Sequence, residues 1–171
     1  TISGDAGSDS ITISGANNTV TLNQVAGLDT ITGFATGDTL ANAAGNEIGT
    51  ATSGTEVTKT AAFATAALAT DTTNILTFNA STTSALATTG TATITDFTDV
   101  AFGGDVMTYL DEVYSVTAIA TEAVVILNDG TDSFVYYFLN DSDTTFDAGD
   151  TLTLVGQVTD HVIVAADVAV L

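Results

Sequence analysis

The chain has 171 residues, enough for one domain or two small ones with a real core. It carries 21 acidic side chains against one lysine and no arginine, a formal charge of −20, which argues against binding nucleic acid or anionic lipid, since both need Lys and Arg. At 45% hydrophobic it does not have the composition of a disordered chain; an acidic, apolar, nearly base-free sequence suits a fold loaded with hard divalent cations, the alternative being an acidic surface kept for solubility.

Residues 1–40 read as short strands separated by turns. Gly4-Asp5-Ala6-Gly7-Ser8-Asp9-Ser10-Ile11-Thr12 fits the nonapeptide G-[GD]-x-G-x-D-x-U-x, in which U is a large apolar residue. The glycines of such a unit supply a sharp turn with positive φ, carbonyls and the Asp carboxylate face Ca²⁺, and U enters a core. Gly4, Ala6 and Asp9 are therefore candidate ligands. Ile2, Ile11 and Val20 recur nine apart, and Asn18 matches Asp9 nine later as a shorter oxygen donor. This phase predicts that the chain opens inside a coil of parallel strands. Ser10–Ser14 and Thr19–Leu22 alternate as strands do, around the turn cluster Gly15-Ala16-Asn17-Asn18. Gly27-Leu28-Asp29-Thr30-Ile31 repeats the Gly-x-Asp-x-Ile core and adds Asp29 to the candidates.

The phrase Phe34-Ala35-Thr36-Gly37-Asp38-Thr39-Leu40 returns as Phe146-Asp147-Ala148-Gly149-Asp150-Thr151-Leu152. A looser copy runs from Ile94-Thr95-Asp96-Phe97 to Phe102-Gly103-Gly104-Asp105. Repetition on this scale predicts repeated supersecondary units, each with a Phe to bury, a Gly-Asp turn and a strand. Asp38, Asp105 and Asp150 become candidates on that ground.

Residues 41–95 hold only Glu47, Glu56 and Asp71 as acids and are rich in Ala, Thr, Ser and Gly. The spacing predicts a short helix over Thr60–Thr70, and strands at Ile75–Phe78 and Ala92–Thr95. This segment reads as an insertion. Residues 105–122 step as a helix through Met107, Leu110, Val113 (or Tyr114) and Thr117, with Asp105 capping its start; a strand over Val113–Ile119 is the rival. Ala123–Leu127 and Phe134–Leu139 flank Asn128-Asp129-Gly130-Thr131-Asp132 and predict a hairpin. The densest acidic loop, Asn140–Asp150, follows. Asp141, Asp143, Thr145 and Asp147 have EF-hand-like spacing, but Phe146 replaces the required Gly and Leu152 the bidentate Glu, so it is no EF-hand. Clustered acids repel without a counterion, so a Ca²⁺ there is expected, with Asp129 and Asp132 joining from the hairpin turn. A strand follows at Thr151–Val155.

Catalytic signatures are missing. His161 is the single histidine, next to apolar Val162-Ile163, and no G-x-S-x-G or H-E-x-x-H motif occurs. Without cysteine there are no disulfides, zinc thiolates or thiol nucleophiles. The four tyrosines are expected to pack, and the scattered Thr-x-Thr pairs fit ordinary β-propensity rather than an ice-binding face. No apolar run reaches the roughly 18 residues of a membrane helix, and Thr1-Ile2-Ser3-Gly4 has no signal-peptide character. The expectation is a non-enzyme.

The nonapeptide at 4–12, the phrase from Asp29 to Leu40, the stretch from Asp129 to Gly156 and the acid-then-apolar tail Asp167-Val168-Ala169-Val170-Leu171 together resemble the RTX (repeats-in-toxin) proteins exported by bacterial type I secretion. The resemblance covers both ends of the chain and leaves 41–95 unmatched. It implies calcium-driven folding outside the cell and a C-terminal export signal read by the type I machinery.

The fold expected is mainly β: a calcium-binding parallel β-roll or β-solenoid, or β-sandwich-like sheets, with one or two short helices. Three segments are expected: 1–40 as the end of a roll, 41–95 as a Thr/Ala-rich insertion, and 96–171 as the C-terminal calcium-binding and export region. The expected function is the C-terminal part of a self-assembling, S-layer-like cell-surface protein forming a homo-oligomer or lattice; an export and folding module of a secreted hydrolase or adhesin is the alternative.

Overall fold

The computed structural model describes residues 1–22, 27–42, 66–68, 77–79, 94–116, 122–141 and 147–169. The chain is mainly β. In order come β1 (Ile2–Ser3), β2 (Ser10–Thr12), β3 (Thr19–Leu22), β4 (Asp29–Thr32), β5 (Thr39–Asn42), β6 (Ala66–Leu68), β7 (Thr77–Asn79), α1 (Asp105–Val113), β8 (Tyr114–Val116), β9 (Glu122–Asn128), β10 (Ser133–Leu139), β11 (Thr151–Val158), a 3₁₀ turn (Ala165–Asp167) and β12 (Val168–Ala169).

Successive short strands alternate between two sheets. One sheet has the order β1-β3-β5-β12; the other has the order β2-β4-β11-β10-β9-β7. A two-stranded pair, β6 with β8 in register over three residues, stands apart. All pairings in the first sheet are parallel, as are β2 with β4, β4 with β11 and β7 with β9 in the second. The register places Ile11 opposite Ile31 and Ile31 opposite Val158, while Ile2, Val20, Leu40 and Val168 form a second column. From Ile11 onward these apolar residues lie between the sheets, Ile11 and Val20 each beside a counterpart 20 residues on, while Ile2 at the edge of the first sheet is exposed. Ile31 and Val20 are fully buried in that core.

The third layer of this stack comes from far along the chain. Gly156–Val158 of β11 adds to β4, and Val168–Ala169 adds to β5. All three sequence segments contribute strands to the six-stranded sheet: β2 and β4 from the first, β7 from the second, β9, β10 and β11 from the third.

The hairpin β9–β10 and its antiparallel neighbour β11 form a middle layer. Val125, Leu127, Phe134, Tyr136 and Phe138 face a cluster with Val106, Met107, Tyr109 and Leu110 of α1. Ile126, Val135 and Val155 face the column core of Ile11, Val20, Ile31 and Leu40. Burial on both faces explains why these strands read as continuous apolar runs, without polar alternation. The Tyr136 hydroxyl donates to the Phe97 carbonyl at 2.8 Å, and Phe97 stacks on Phe134 at 4.5 Å, which fastens residues 94–104 to the hairpin.

Several expectations change. The helix expected over 105–122 stops at Val113 and passes directly into β8, because the β-branched and aromatic run Val113–Val116 favours a strand once a partner is present. Asp105 does not cap the helix; Asp99 does, accepting the Asp105 N–H on its carboxylate at 3.3 Å and the Val106 N–H on its carbonyl at 3.2 Å. Ala66–Leu68, expected to be helical, pairs as a strand with Tyr114–Val116. The strand expected at Ala92–Thr95 is not formed at Ile94 and Thr95, where the Thr95 N–H turns to Asp105 instead. The strand expected at Ile75–Phe78 is seen at Thr77–Asn79; Ile75 and Leu76 lie outside the described residues, as does most of Thr60–Thr70.

Ile126 belongs to the column core while its neighbours Val125 and Leu127 belong to the α1 core, so it couples the two. Ile126→Ala is expected to lower unfolding free energy by about 2–5 kcal/mol, measured by urea denaturation.

Candidate metal centre

Turns stack as the strands do. The β1–β2 turn, 4–9, lies against Gly27 and Leu28, which lead into β4. Gly27 has φ of 108°, and a methyl group there would overlap the Gly7 carbonyl, so two glycine backbones are in direct contact. Ser8 Oγ accepts the Leu28 N–H at 3.1 Å, and the Asp9 carbonyl accepts the Thr30 N–H at 2.8 Å.

This stacking brings Gly4, Asp9 and Asp29 together. The Asp9 N–H donates to Asp29 Oδ1 at 3.0 Å. The Asp29 carboxylate lies against the Cα of Gly4, where an added Cβ would stand 2.5 Å from Oδ2. Asp29 is 2% exposed. Burial raises its carboxyl above the ordinary value; the Asp9 N–H opposes this and the Asp9 charge adds to it. Asp9 Oδ2 is itself buried with no hydrogen-bond donor. Two carboxylates in adjacent turns thus share a site that holds one orphaned oxygen and no basic side chain among the described residues. Such an arrangement calls for a proton or a cation.

On the other side of the stack the same 20-residue offset gives the opposite electrostatics. Asp38 Oδ1 accepts the Asn18 N–H at 2.8 Å and the Asn18 Nδ2–H at 2.9 Å, while Oδ2 accepts the Ala35 N–H at 2.9 Å. Asp38 is 1% exposed, and desolvation, the largest influence, pushes its carboxyl upward. The hydrogen bonds from Asn18 and Ala35, with the charge of His161, outweigh it and hold Asp38 below the ordinary value. Asn18 therefore donates to a carboxylate here and neutralises nothing.

The repeated phrase builds the same clamp at its second copy. Asp150 Oδ1 accepts the Asn140 Nδ2–H at 3.0 Å and the Asp141 N–H at 3.1 Å; Oδ2 accepts the Asp147 N–H at 3.1 Å. Asp147 Oδ1 accepts the Gly149 N–H at 2.7 Å, and Gly149 lies directly against the Asp141 carboxylate. Asp38 and Asp150 each precede a strand, and each closes the turn three residues back. Asp105 differs: its Oδ2 accepts the Thr95 hydroxyl at 2.6 Å, the Thr95 N–H at 2.7 Å and the Asp96 N–H at 3.0 Å, which together hold it below the ordinary value.

Asp129 Oδ1 accepts the Thr131 and Asp132 N–H groups, both at 2.8 Å, and shapes the hairpin turn. Asp132 accepts the Asp160 N–H at 2.8 Å and the Gln157 Nε2–H at 3.0 Å. These two acids do not join the described part of the 140–150 loop, residues 140, 141 and 147–150. The seven-residue strand β10, roughly 20 Å long, separates them from it. Ala6 is exposed in the first turn; Asp143 lies outside the described residues. Among the described residues, no group of three or more His, Cys, Asp or Glu side chains is placed to hold a metal ion, so a cation at Asp9 and Asp29 needs backbone oxygens as well.

The Asp9–Asp29 pairing escapes a nine-residue reading because consecutive units belong to different sheets. The signal was present in the two Gly-x-Asp-x-Ile copies, 20 residues apart. No protein-family model, curated protein or solved structure matches the chain.

A carboxylate held below its ordinary value contributes stability above the unfolded-chain value, and that contribution is lost as pH falls through the folded value. Asp38→Asn leaves buried N–H donors short of an acceptor. It is expected to cost about 1–3 kcal/mol at pH 7. In urea titrations the cost shrinks as pH is lowered through 3.8 and below.

Proposed function

We propose that this chain is the calcium-binding C-terminal part of an extracellular, type I secreted structural protein that self-assembles on the cell surface in the manner of an S-layer. The observation that carries the reading is the stacked Asp9–Asp29 pair, with its orphaned oxygen, in a chain of charge −20. In this reading residues 2–42 form a short parallel β-roll, with 156–169 as a further rung. The Asp9 and Asp29 carboxylates and carbonyls of the 4–9 turn, Gly4 and Ala6 among them, hold the ion. The ion supplies positive charge that links two rungs. Calcium suits these oxygen donors, and extracellular modules work at weak affinity, about 10⁻⁴–10⁻³ M.

Binding and assembly fit the side-chain chemistry better than catalysis. His161, the single histidine, is bonded to Asp167 and packed on Phe34. No helix among the described residues is long and apolar enough to cross a membrane. Assembly of so acidic a chain needs cations to offset repulsion between copies.

The sign of one substitution tests the ion. A carboxyl held above its ordinary value favours the protonated folded form, so without a cation stability falls as pH rises from 3.8 upward. At pH 7 in chelator, Asp29→Asn is expected to match or exceed the parent in urea stability. In about millimolar calcium it is expected to fall below the parent. Equal effects in both buffers would sink the calcium reading. For assembly, calcium-dependent sheets or filaments are expected by electron microscopy of the parent chain; a calcium-loaded monomer at all concentrations would instead point to an export and folding module.

A further inference from the structure

The terminal rung is held unevenly. Residues 159–163 are anchored on several elements. The Thr159 N–H donates to the Ile31 carbonyl at 2.9 Å, and the Asp160 N–H to Asp132 Oδ1 at 2.8 Å. Ser133, fully buried at the start of β10, donates to the His161 carbonyl at 2.9 Å and accepts the Ile163 N–H at 2.8 Å. This fixes the His161 backbone in place.

Residues 164–169 have fewer ties. Asp167 closes its own turn, with its N–H on the Val164 carbonyl at 2.9 Å and Oδ2 accepting the Val164 N–H at 3.1 Å. Those bonds hold the turn together but fasten it to nothing else. β12 pairs with β5 over two residues, Val168 with Leu40 and Ala169 with Ala41. A ladder that short is marginal alone. Among the described residues, one side-chain hydrogen bond runs between the anchored and the loosely held part, His161 Nε2 to Asp167 Oδ2 at 3.1 Å, beside the packing of Val168 on the column core. The ring is oriented for it by Phe34, whose centroid lies 5.1 Å away. Asp167 is 5% exposed, so its carboxylate has little water to replace a lost partner.

We infer that His161 is a latch that fastens the terminal strand β12 onto β5, so that residues 164–169 open as a local unit when the His161–Asp167 contact is broken. Opening uncovers the backbone edge of β5, a template on which another strand can pair. The latch therefore controls whether this edge of the first sheet is closed. It does not depend on the calcium reading, since neither His161 nor Asp167 belongs to the Asp9–Asp29 pair.

Amide hydrogen exchange followed by NMR on the 171-residue chain tests it. In His161→Phe, which keeps ring packing on Phe34 but loses the donor, the amides of Val168 and Ala169 are expected to exchange about tenfold faster, with those of β10 unchanged. In His161→Gln, which keeps a donor, protection is expected to stay within about threefold of the parent. Asp167→Asn added to His161→Phe is expected to speed exchange at Val168 less than it does in the parent. Unchanged exchange at Val168 and Ala169 in His161→Phe would overturn the latch. So would an equal rise across β10, failure of that variant to fold, or His161→Gln behaving as His161→Phe.

Discussion

Carboxylates buried where turns enter strands are the constraint on which the rest of this structure depends. Asp29, Asp38 and Asp167 are each at most 5% exposed, and each sits just before or at the start of a parallel strand. A buried carboxylate must be given donors, a proton or a counter-charge. The chain has almost no basic side chains to offer. It meets the demand with backbone N–H groups, closing the turns at Asp38 and Asp167 onto their own aspartates, and with the two side chains Asn18 and His161. Asp9 and Asp29 are the place where donors run out.

That difference turns on one residue. Asn18 and Asp9 occupy corresponding positions of successive units. The amide at 18 brings two donors to Asp38, and the carboxylate there is content without an ion. The carboxylate at 9 brings a second negative charge to Asp29 and keeps an oxygen unpaired. The proposed cation therefore belongs to one side of the stack. Asparagine joins one turn to the next on its side of the stack, the part the proposed cation would take on the other.

The middle sheet makes the stack and the C-terminal half a single structure. Alternate residues of β9 and β10 serve two cores, one under α1 and one between the parallel columns. β11 is antiparallel to β10 along its length and parallel to β4 at its end. It changes role at Gly156, where the absent side chain leaves room for Leu22. From there the chain adds a parallel strand to each of the two sheets, with Val158 beside Ile31 and Val168 beside Leu40. The long excursion between β5 and β11 sets these strands far in sequence from the ones they join, and β12 is held by its two-residue pairing with β5, the packing of Val168 and the His161–Asp167 contact.

Local information carried much of this. The nine-residue phase of Ile2, Ile11 and Val20 specified strand and turn, and for Ile11 and Val20 the inward face, because side-chain direction follows backbone period. The apolar runs around Asp129-Gly130 specified the hairpin. The Phe-x-x-Gly-Asp-Thr-Leu phrase specified a strand-initiating turn at both copies. What the sequence left open was decided by partners distant along the chain. The run Tyr114–Val116 is a strand because Ala66–Leu68 lies beside it, and the Asp105 carboxylate, at the first residue of α1, is taken up by Thr95. Asp129 and Asp132 are separated from Asn140 and Asp141 by the length of β10. Which aspartates meet depends on strands alternating between two sheets, so the partner of residue 9 is residue 29 and not 18. Spacing along a chain fixes which way a side chain points; only the pairing of sheets fixes what it finds there.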